Sequence, residues 1–339
     1  MNKLYTQLPA AVRGRAVPLK HETSFHLFGV PVVVASYSEA LMDGVDAALG
    51  RWKSLPTSYR ENIVPRRLDI LVSETMSADA DADAPRIAWH GRGDLLIASG
   101  RGLAAAAAGS AGTVFAAPEW ALPGREFADV VLTPLAIFLA SGGMAQERLF
   151  LRASAFVRGG AALVLLGKPD AARLVFAGDL HRAGLEILGT DFILAARHPA
   201  RGLELWGHPS AIPPSAHTPM EDGNPPGDWS PLPLEGVSKV HLQHAGPVLL
   251  AVLDDAAPGP VAESFPARFE TDPEAMRARL AALASPAYPM AAEDEEAAPD
   301  LASRSILAEL AKHPAIRLPS VDPAASLPGV LRLMDTLPV

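Results

Sequence analysis

The chain has 339 residues, 49% of them hydrophobic, with a formal net charge of −9 and no cysteine. The length allows two domains, whereas the negative charge argues against a nucleic-acid-binding protein, which needs a basic surface. The lack of cysteine excludes disulfides and thiolate sites. The sequence has no signal-peptide pattern and no apolar run of ~20 residues, so we expect a cytoplasmic protein without membrane contact.

The first part of the chain mixes strand and helix patterns. Apolar runs at Phe25 to Ser36 and Leu68 to Ser73 predict strands, and the spacing within Glu39 to Trp52 predicts a helix. The alanine run from Leu103 to Gly109 has helical propensity, and Asp129 to Gly142 also predicts a helix. We therefore expect an α+β domain over residues 1–145.

The middle of the chain predicts a hairpin followed by a helix. Strands at Leu149 to Phe156 and Ala161 to Leu166 flank a tight turn at Arg158 to Gly160. The segment Ala171 to Ala183 has helical spacing, and Gly184 is placed to end that helix.

Further elements follow in short pieces separated by a long loop. Four more strands are predicted, at Leu185 to Leu188, Phe192 to Ala195, Leu203 to Trp206 and Val248 to Leu253. Proline and glycine fill Pro213 to Pro233, which predicts a long loop. Asp272 and Pro273 are typical of a helix start, and a second helix is predicted at Ala302 to Lys312.

The connection after Leu166 has the frame of a phosphate-binding loop without its usual residues. In the pattern G-x-x-x-x-G-K-[ST], Gly167 matches the first glycine, but Ala172, Arg173 and Leu174 stand at the last three positions. Pro169 removes a backbone donor from the loop. Leucine offers no oxygen to a magnesium ion, so the pattern indicates a degenerate Walker A loop.

The order of these pieces resembles the HPr kinase/phosphorylase family. The resemblance is carried by Leu149-Phe-Leu-Arg-Ala-Ser-Ala-Phe156, Arg158-Gly-Gly-Ala-Ala-Leu-Val-Leu-Leu-Gly167 and Ala183-Gly-Leu-Glu-Ile-Leu-Gly-Thr-Asp-Phe192. It implies an α/β protein with an N-terminal α+β domain, a P-loop core with a mixed sheet at residues 146–270 and a C-terminal helical segment at residues 271–339. It also implies homo-oligomerisation.

The resemblance also assigns roles to individual residues. The family's Asp-Asp pair corresponds to Thr190 and Asp191, and threonine is no useful general base near neutral pH. Glu204 lies in Leu203-Glu-Leu-Trp-Gly207, where the family has a metal-linked glutamate, so Asp191 and Glu204 would be the metal ligands and the only acids for catalysis. Gly167, Lys168 and Arg173 would form the degenerate phosphate site.

Three functions remain open from the sequence. The first is a catalytically degenerate pseudokinase that serves as a binding, regulatory or scaffold subunit for a protein or peptide partner and needs no cofactor. The second is an atypical serine kinase for a peptide, protein or small molecule, using Mg-ATP with Arg173, Asp191 and Glu204. The third is an anion-binding module in which Arg152, Lys168 and Arg173 form a basic pocket.

Overall fold

The structure is a computed structural model, and its described residues form two compact units. The described ranges are 19–50, 64–72, 87–92, 95–100, 102–118, 131–143, 148–166, 171–190, 192–198, 202–207, 243–254, 268–269, 272–285, 301–319 and 323–337. Those up to residue 143 form the first unit and those from residue 148 form the second. Both units combine sheets with helices, which confirms the mixed α/β class.

The first unit contains a seven-stranded sheet with the order β1-β2-β3-β7-β6-β5-β4. Its strands are β1 (His21–Leu27), β2 (Val30–Ser36), β3 (Arg66–Val72), β4 (Ala88–Arg92), β5 (Leu95–Gly100), β6 (Leu103–Ala108) and β7 (Ala111–Ala116). The predicted helices are present as α1 (Glu39–Leu49) and α2 (Thr133–Gly143), and α2 packs on β2 and β3. Leu41 N donates to Ser38 Oγ at the start of α1, over 3.2 Å.

The alanine run from Leu103 to Gly109, which is ambiguous in sequence despite its helical propensity, forms strand β6. It is hydrogen-bonded to β5 on one side and to β7 on the other. Alanine's helix propensity is a preference of only about 1 kcal/mol per residue over glycine, and pairing on both sides outweighs it. The small side chains are also buried, as Ala105 and Ala107 show.

The second unit contains two sheets. The six-stranded core sheet has the order β11-β9-β10-β15-β18-β16, and the five-stranded second sheet has the order β14-β13-β12-β8-β17. The core-sheet strands are β9 (Ala153–Arg158), β10 (Ala161–Leu166), β11 (Glu186–Gly189), β15 (Val248–Asp254), β16 (Arg268–Phe269) and β18 (Ala315–Pro319). The second-sheet strands are β8 (Arg148–Leu151), β12 (Ile193–His198), β13 (Gly202–Gly207), β14 (Gln243–His244) and β17 (Ala284–Ser285).

The core sheet is buried on both faces. Its helices are α3 (Ala171–Arg182), α4 (Pro273–Leu283), α5 (Leu301–Leu310) and α6 (Leu327–Thr336). One face packs with α3 and α6 through residues such as Leu163, Phe176 and Met334. The other face shares a core with α4, α5 and the second sheet, to which Val164 and Leu205 belong. This burial explains the nearly continuous apolar sequence of β10.

The expected single strand from Leu149 to Phe156 is divided between the two sheets. β8 belongs to the second sheet and β9 to the core sheet, with Arg152 between them. Both halves are apolar, so periodicity alone does not mark the break. The predicted hairpin is confirmed, since β9 and β10 pair antiparallel around Gly159 and Gly160.

Helix α3 ends where its sequence predicts. Gly184 has a φ of +92°, and its N–H donates to His181 O over 2.9 Å. Leu185 N donates to Leu180 O over 3.2 Å, which completes a Schellman motif. Leu180 and Leu185 both enter the buried cluster beneath the helix.

The C-terminal segment at residues 271–339 contains the expected helices but also contributes strand β18 to the core sheet. β18 pairs parallel with β15, so the segment completes the sheet. Its short apolar sequence, Ala315 to Pro319, does not distinguish a buried strand from a loop. No helix among the described residues has the length and apolarity needed to cross a membrane.

Candidate functional site

The candidate phosphate site lies at one edge of the core sheet. β10 is parallel to β15, and β11 is antiparallel to β9, which is itself antiparallel to β10. The carboxyl ends of β10, β11 and β15 therefore meet at the same edge, where open α/β sheets commonly bind ligands. The loop residues Gly167 and Lys168 follow β10 directly but, like Asp191, lie outside the described residues.

Arg173 lies on the core-facing side of α3. Its side chain is fully buried. With Phe176, Ala177 and Leu180 it forms an i, i+3, i+4, i+7 stripe, and those three residues pack against the core sheet. A phosphate-binding lysine must present its charge to a ligand, whereas this guanidinium has no surface open to one.

Thr190 is held at the edge by a buried serine. Ser154 Oγ donates to Thr190 O over 2.5 Å, and both residues are buried. This bond ties the end of β11 to the start of β9, next to the candidate loop. It fixes the chain immediately before Asp191, while Thr190 supplies no carboxylate of its own.

Arg152 occupies the junction between β8 and β9. Its backbone N–H donates to Leu283 O over 2.9 Å, and the residue is exposed. The pairing of Ala153 with Leu166 places Arg152 at the edge where the candidate loop begins. Arg152 and Arg173 therefore differ in kind, one open to solvent and the other buried in the core.

Glu204 lies in the second sheet and is fully buried. Its neighbours Leu203 and Leu205 belong to the core shared with the core sheet. Because successive side chains of a strand alternate between faces, Glu204 and Trp206 face away from that core. Arg173 belongs to α3, which packs on the other face of the core sheet.

Two glycines allow β13 to approach β11 closely. A Cβ on Gly207 would lie 1.5 Å from Leu188 O. A Cβ on Gly189 would lie 2.7 Å from Phe192 O. Only glycine fits at these two positions, and the contact sets the backbone path on both sides of Thr190.

The sequence interpretation missed Asp254, the last residue of β15. β15 lies beside β10, with Val252 opposite Leu166, so Asp254 is two positions beyond the end of β10. That offset is about 7 Å along the strand. The signal in the sequence was the apolar run from Val248 to Leu253, which two aspartates follow directly.

The described part of the chain contains no cluster of potential metal ligands. Within it, no three His, Asp or Glu side chains are grouped so that they could hold a metal ion. Asp191, one of the two expected ligands, is not among the described residues.

Comparisons with known proteins found matches among solved structures. No family model and no curated protein matches the chain. Among solved structures, it is similar to the Hpr(Ser) kinase/phosphatase from Coxiella burnetii, with 13% identity and a TM-score of 0.28. The match covers 54% of this chain and 96% of the Coxiella chain.

Proposed function

We propose that the protein is a catalytically degenerate HPr-kinase-like protein that acts as a binding, regulatory or scaffold subunit for a protein or peptide partner. The main support is the complete burial of Arg173 on the core-facing stripe of α3. Phosphoryl transfer depends on positioned charges around the transferred group, and this charge is withdrawn into the core.

Two further residues support the same proposal. Leu174 takes the position of the magnesium-binding hydroxyl, and Thr190 takes the position of the general base. Thr190 is buried, and its carbonyl oxygen accepts the hydrogen bond from Ser154 Oγ. Its hydrogen bond therefore joins two strand ends. Restoring phosphotransfer would need a replacement for the charge, the metal ligand and the base together.

The alternative of an ATP-dependent serine kinase is favoured by a single observation. β15 ends at Asp254 beside the end of β10, which provides an acidic residue at the same edge as the candidate loop. With Asp191, it would offer two carboxylates to a magnesium ion.

A thermal unfolding titration with Mg-ATP distinguishes these functions. A ligand at 100 times its Kd stabilises a protein by about 2.7 kcal/mol, which raises the Tm by several degrees. We expect no rise in Tm up to millimolar Mg-ATP.

A rise in Tm that depends on magnesium would contradict the proposal. If that rise were lost in Asp191→Asn but kept in the exposed control Glu274→Gln, it would support the kinase alternative. A rise with acidic metabolites alone, lost in Arg152→Ala, would support an anion-binding module. Measuring the Tm of each variant without ligand separates loss of binding from loss of folding.

A further inference from the structure

Strand β1 is one edge of the seven-stranded sheet in the first unit. It pairs with β2 on one side, and no other described strand pairs with its outer side. The strand runs from His21 to Leu27 in an unbroken register with β2 and contains neither proline nor lysine. Short length, bulges, proline and lysine are the usual features that keep an edge strand from pairing with another chain. Within its own sequence, β1 has none of them.

The turn after β1 determines which of its backbone groups face outwards. Phe28 and Gly29 have φ angles of +53° and +73°, as in a type I′ hairpin turn. The residues on either side of such a turn, Leu27 and Val30, form a hydrogen-bonded pair. Because hydrogen-bonded and non-hydrogen-bonded pairs alternate along an antiparallel ladder, every second residue of β1 directs its N–H and C=O groups away from β2. These residues are Glu22, Ser24 and His26.

The three outward-facing residues are self-complementary in an antiparallel pairing. Alignment of two copies of β1 about Ser24 places Glu22 of each copy opposite His26 of the other. Each of these pairs would exchange two backbone hydrogen bonds. A carboxylate facing an imidazole is a favourable cross-strand pair, whereas like charges in these positions would be unfavourable. A shift of the register by two residues would separate Glu22 from His26, so the side chains favour one register.

The side chains that would meet are at the open face of the sheet. Glu22 and Ser24 are exposed, and His26 is half-buried. Arg67 Nη2 donates to Glu22 Oε1 over 2.8 Å and orients this carboxylate. The carboxylate has further lone pairs for a donor from a second copy. Nδ1 of His26 is buried, so Nε2 is the ring nitrogen that would meet the carboxylate.

We propose that two copies of the chain pair along β1, antiparallel about a two-fold axis at Ser24, and join their seven-stranded sheets into one continuous sheet. The same edge is used by both copies, so the assembly closes as a dimer. A second copy is the occupant because the outward-facing residues complement their own sequence. The interface goes beyond the proposed function and does not depend on it, since β1 belongs to the first unit and the candidate phosphate site to the second.

Disulfide cross-linking of the full chain tests the register, because the chain has no cysteine of its own. Opposite residues of a hydrogen-bonded pair have Cα atoms about 5.5 Å apart, which a disulfide can bridge. Ser24→Cys should therefore form a covalent dimer on mild oxidation. The two copies of Glu22→Cys would lie about 14 Å apart and should not cross-link. Glu22→Cys mixed with His26→Cys should cross-link, although neither variant does so alone.

Sedimentation equilibrium measures the association without a covalent bond. We expect a reversible dimer of the full chain. Ser24→Pro removes an N–H group that points away from β2, and Ser24→Lys places two ammonium groups opposite each other. Each should weaken dimerisation about tenfold or more and leave the Tm of the dilute chain nearly unchanged. The control Ser24→Thr keeps the N–H group and should dimerise like the parent chain.

Three outcomes would overturn the proposal. One is a parent chain that stays monomeric up to about 1 mM, where only very weak contacts remain undetected. Another is an association constant that neither Ser24→Pro nor Ser24→Lys changes, which would place the interface elsewhere. The third is cross-linking of Glu22→Cys alone as efficient as that of Ser24→Cys, which would mean parallel pairing or random collision.

Discussion

Gly207 lies against the backbone of Leu188, so a side chain at position 207 would overlap it. Its missing Cβ would lie 1.5 Å from the carbonyl oxygen of Leu188 and 2.2 Å from the carbonyl carbon. These are backbone atoms of the neighbouring sheet, so no rotamer change relieves the overlap. The two sheets would have to separate locally to admit a single methyl group.

Gly207→Ala is therefore expected to lower the free energy of unfolding by about 3 kcal/mol or more, because overpacking against backbone is costly. Urea denaturation measures this change. The matched control is Gly44→Ala in α1, where a Cβ has no atom within 4 Å. The control should stabilise the protein by about 1 kcal/mol, the difference in helix propensity. Equal effects of the two variants would contradict the close approach.

Individual site residues were only partly predictable. The sequence placed Arg173 at the lysine position of the loop pattern, but side-chain direction depends on which face of α3 meets the sheet. The stripe Phe176, Ala177 and Leu180 contained that information, because Arg173 continues it one turn earlier. Glu204 differs, since its position follows from the pairing of β13 into the second sheet, a non-local arrangement.

At the scale of elements, α4 shows how local chemistry defines a helix start. Asp272 Oδ1 accepts a hydrogen bond from Glu274 N over 2.9 Å, and Pro273 takes the first helical position. The buried residues Met276 and Leu280 then hold the helix on the core. The predicted start is confirmed in each of these features.

Asp272→Ala should lower the free energy of unfolding by about 1 kcal/mol, since it removes an N-cap acceptor. Asp272→Asn keeps an acceptor oxygen and should change stability by only a few tenths of a kcal/mol. Chemical denaturation of the two variants beside the parent protein measures both effects. If Asp272→Asn lowered the free energy of unfolding as much as Asp272→Ala, loss of the N-cap hydrogen bond would not be the cause of the destabilisation.

Elements with local signals were predictable, and those fixed by distant partners were not. The helices α3 and α4 and the hairpin of β9 and β10 carry capping and turn residues in their own sequence. Strand β6 has only alanines after Leu103, so its conformation is determined by β5 and β7. The interruption at Arg152 and the insertion of β18 likewise depend on which sheet each segment joins.

At the scale of the whole molecule, the dependence of stability on pH involves His313, just after α5. Burial lowers the pKa of His313, and Lys312 lowers it further while Glu309 acts in the opposite direction. Glu309 in turn accepts from Lys312 Nζ over 3.0 Å and lies 3.6 Å from Arg197 Nη2. Glu309 and Lys312 are therefore the charges that act on the imidazole.

The sign of the pH effect follows from that lowered pKa. Above pH ~6.5 the imidazole is neutral in both folded and unfolded chains, and its contribution to stability is fully present. As the pH falls below that value, the unfolded chain binds the proton more readily, so the free energy of unfolding decreases until the folded pKa is reached. The pKa of Glu309 is lowered, mainly by Lys312, from 4.5, so loss of its contribution begins at lower pH.

His313→Asn should reduce the decrease in the free energy of unfolding between pH 7 and pH 5.5. Urea denaturation at several pH values compares the variant with the parent chain. Equally steep curves for the two proteins would show that burial of His313 does not contribute to acid sensitivity.

The single-residue junction at Arg152 has a consequence for how the second unit opens. β8 and β9 belong to different sheets, yet one residue separates them and its backbone is bonded to Leu283. A one-residue connection is too short to allow one sheet to move away from the other. We therefore expect the two sheets of the second unit to unfold as one cooperative unit.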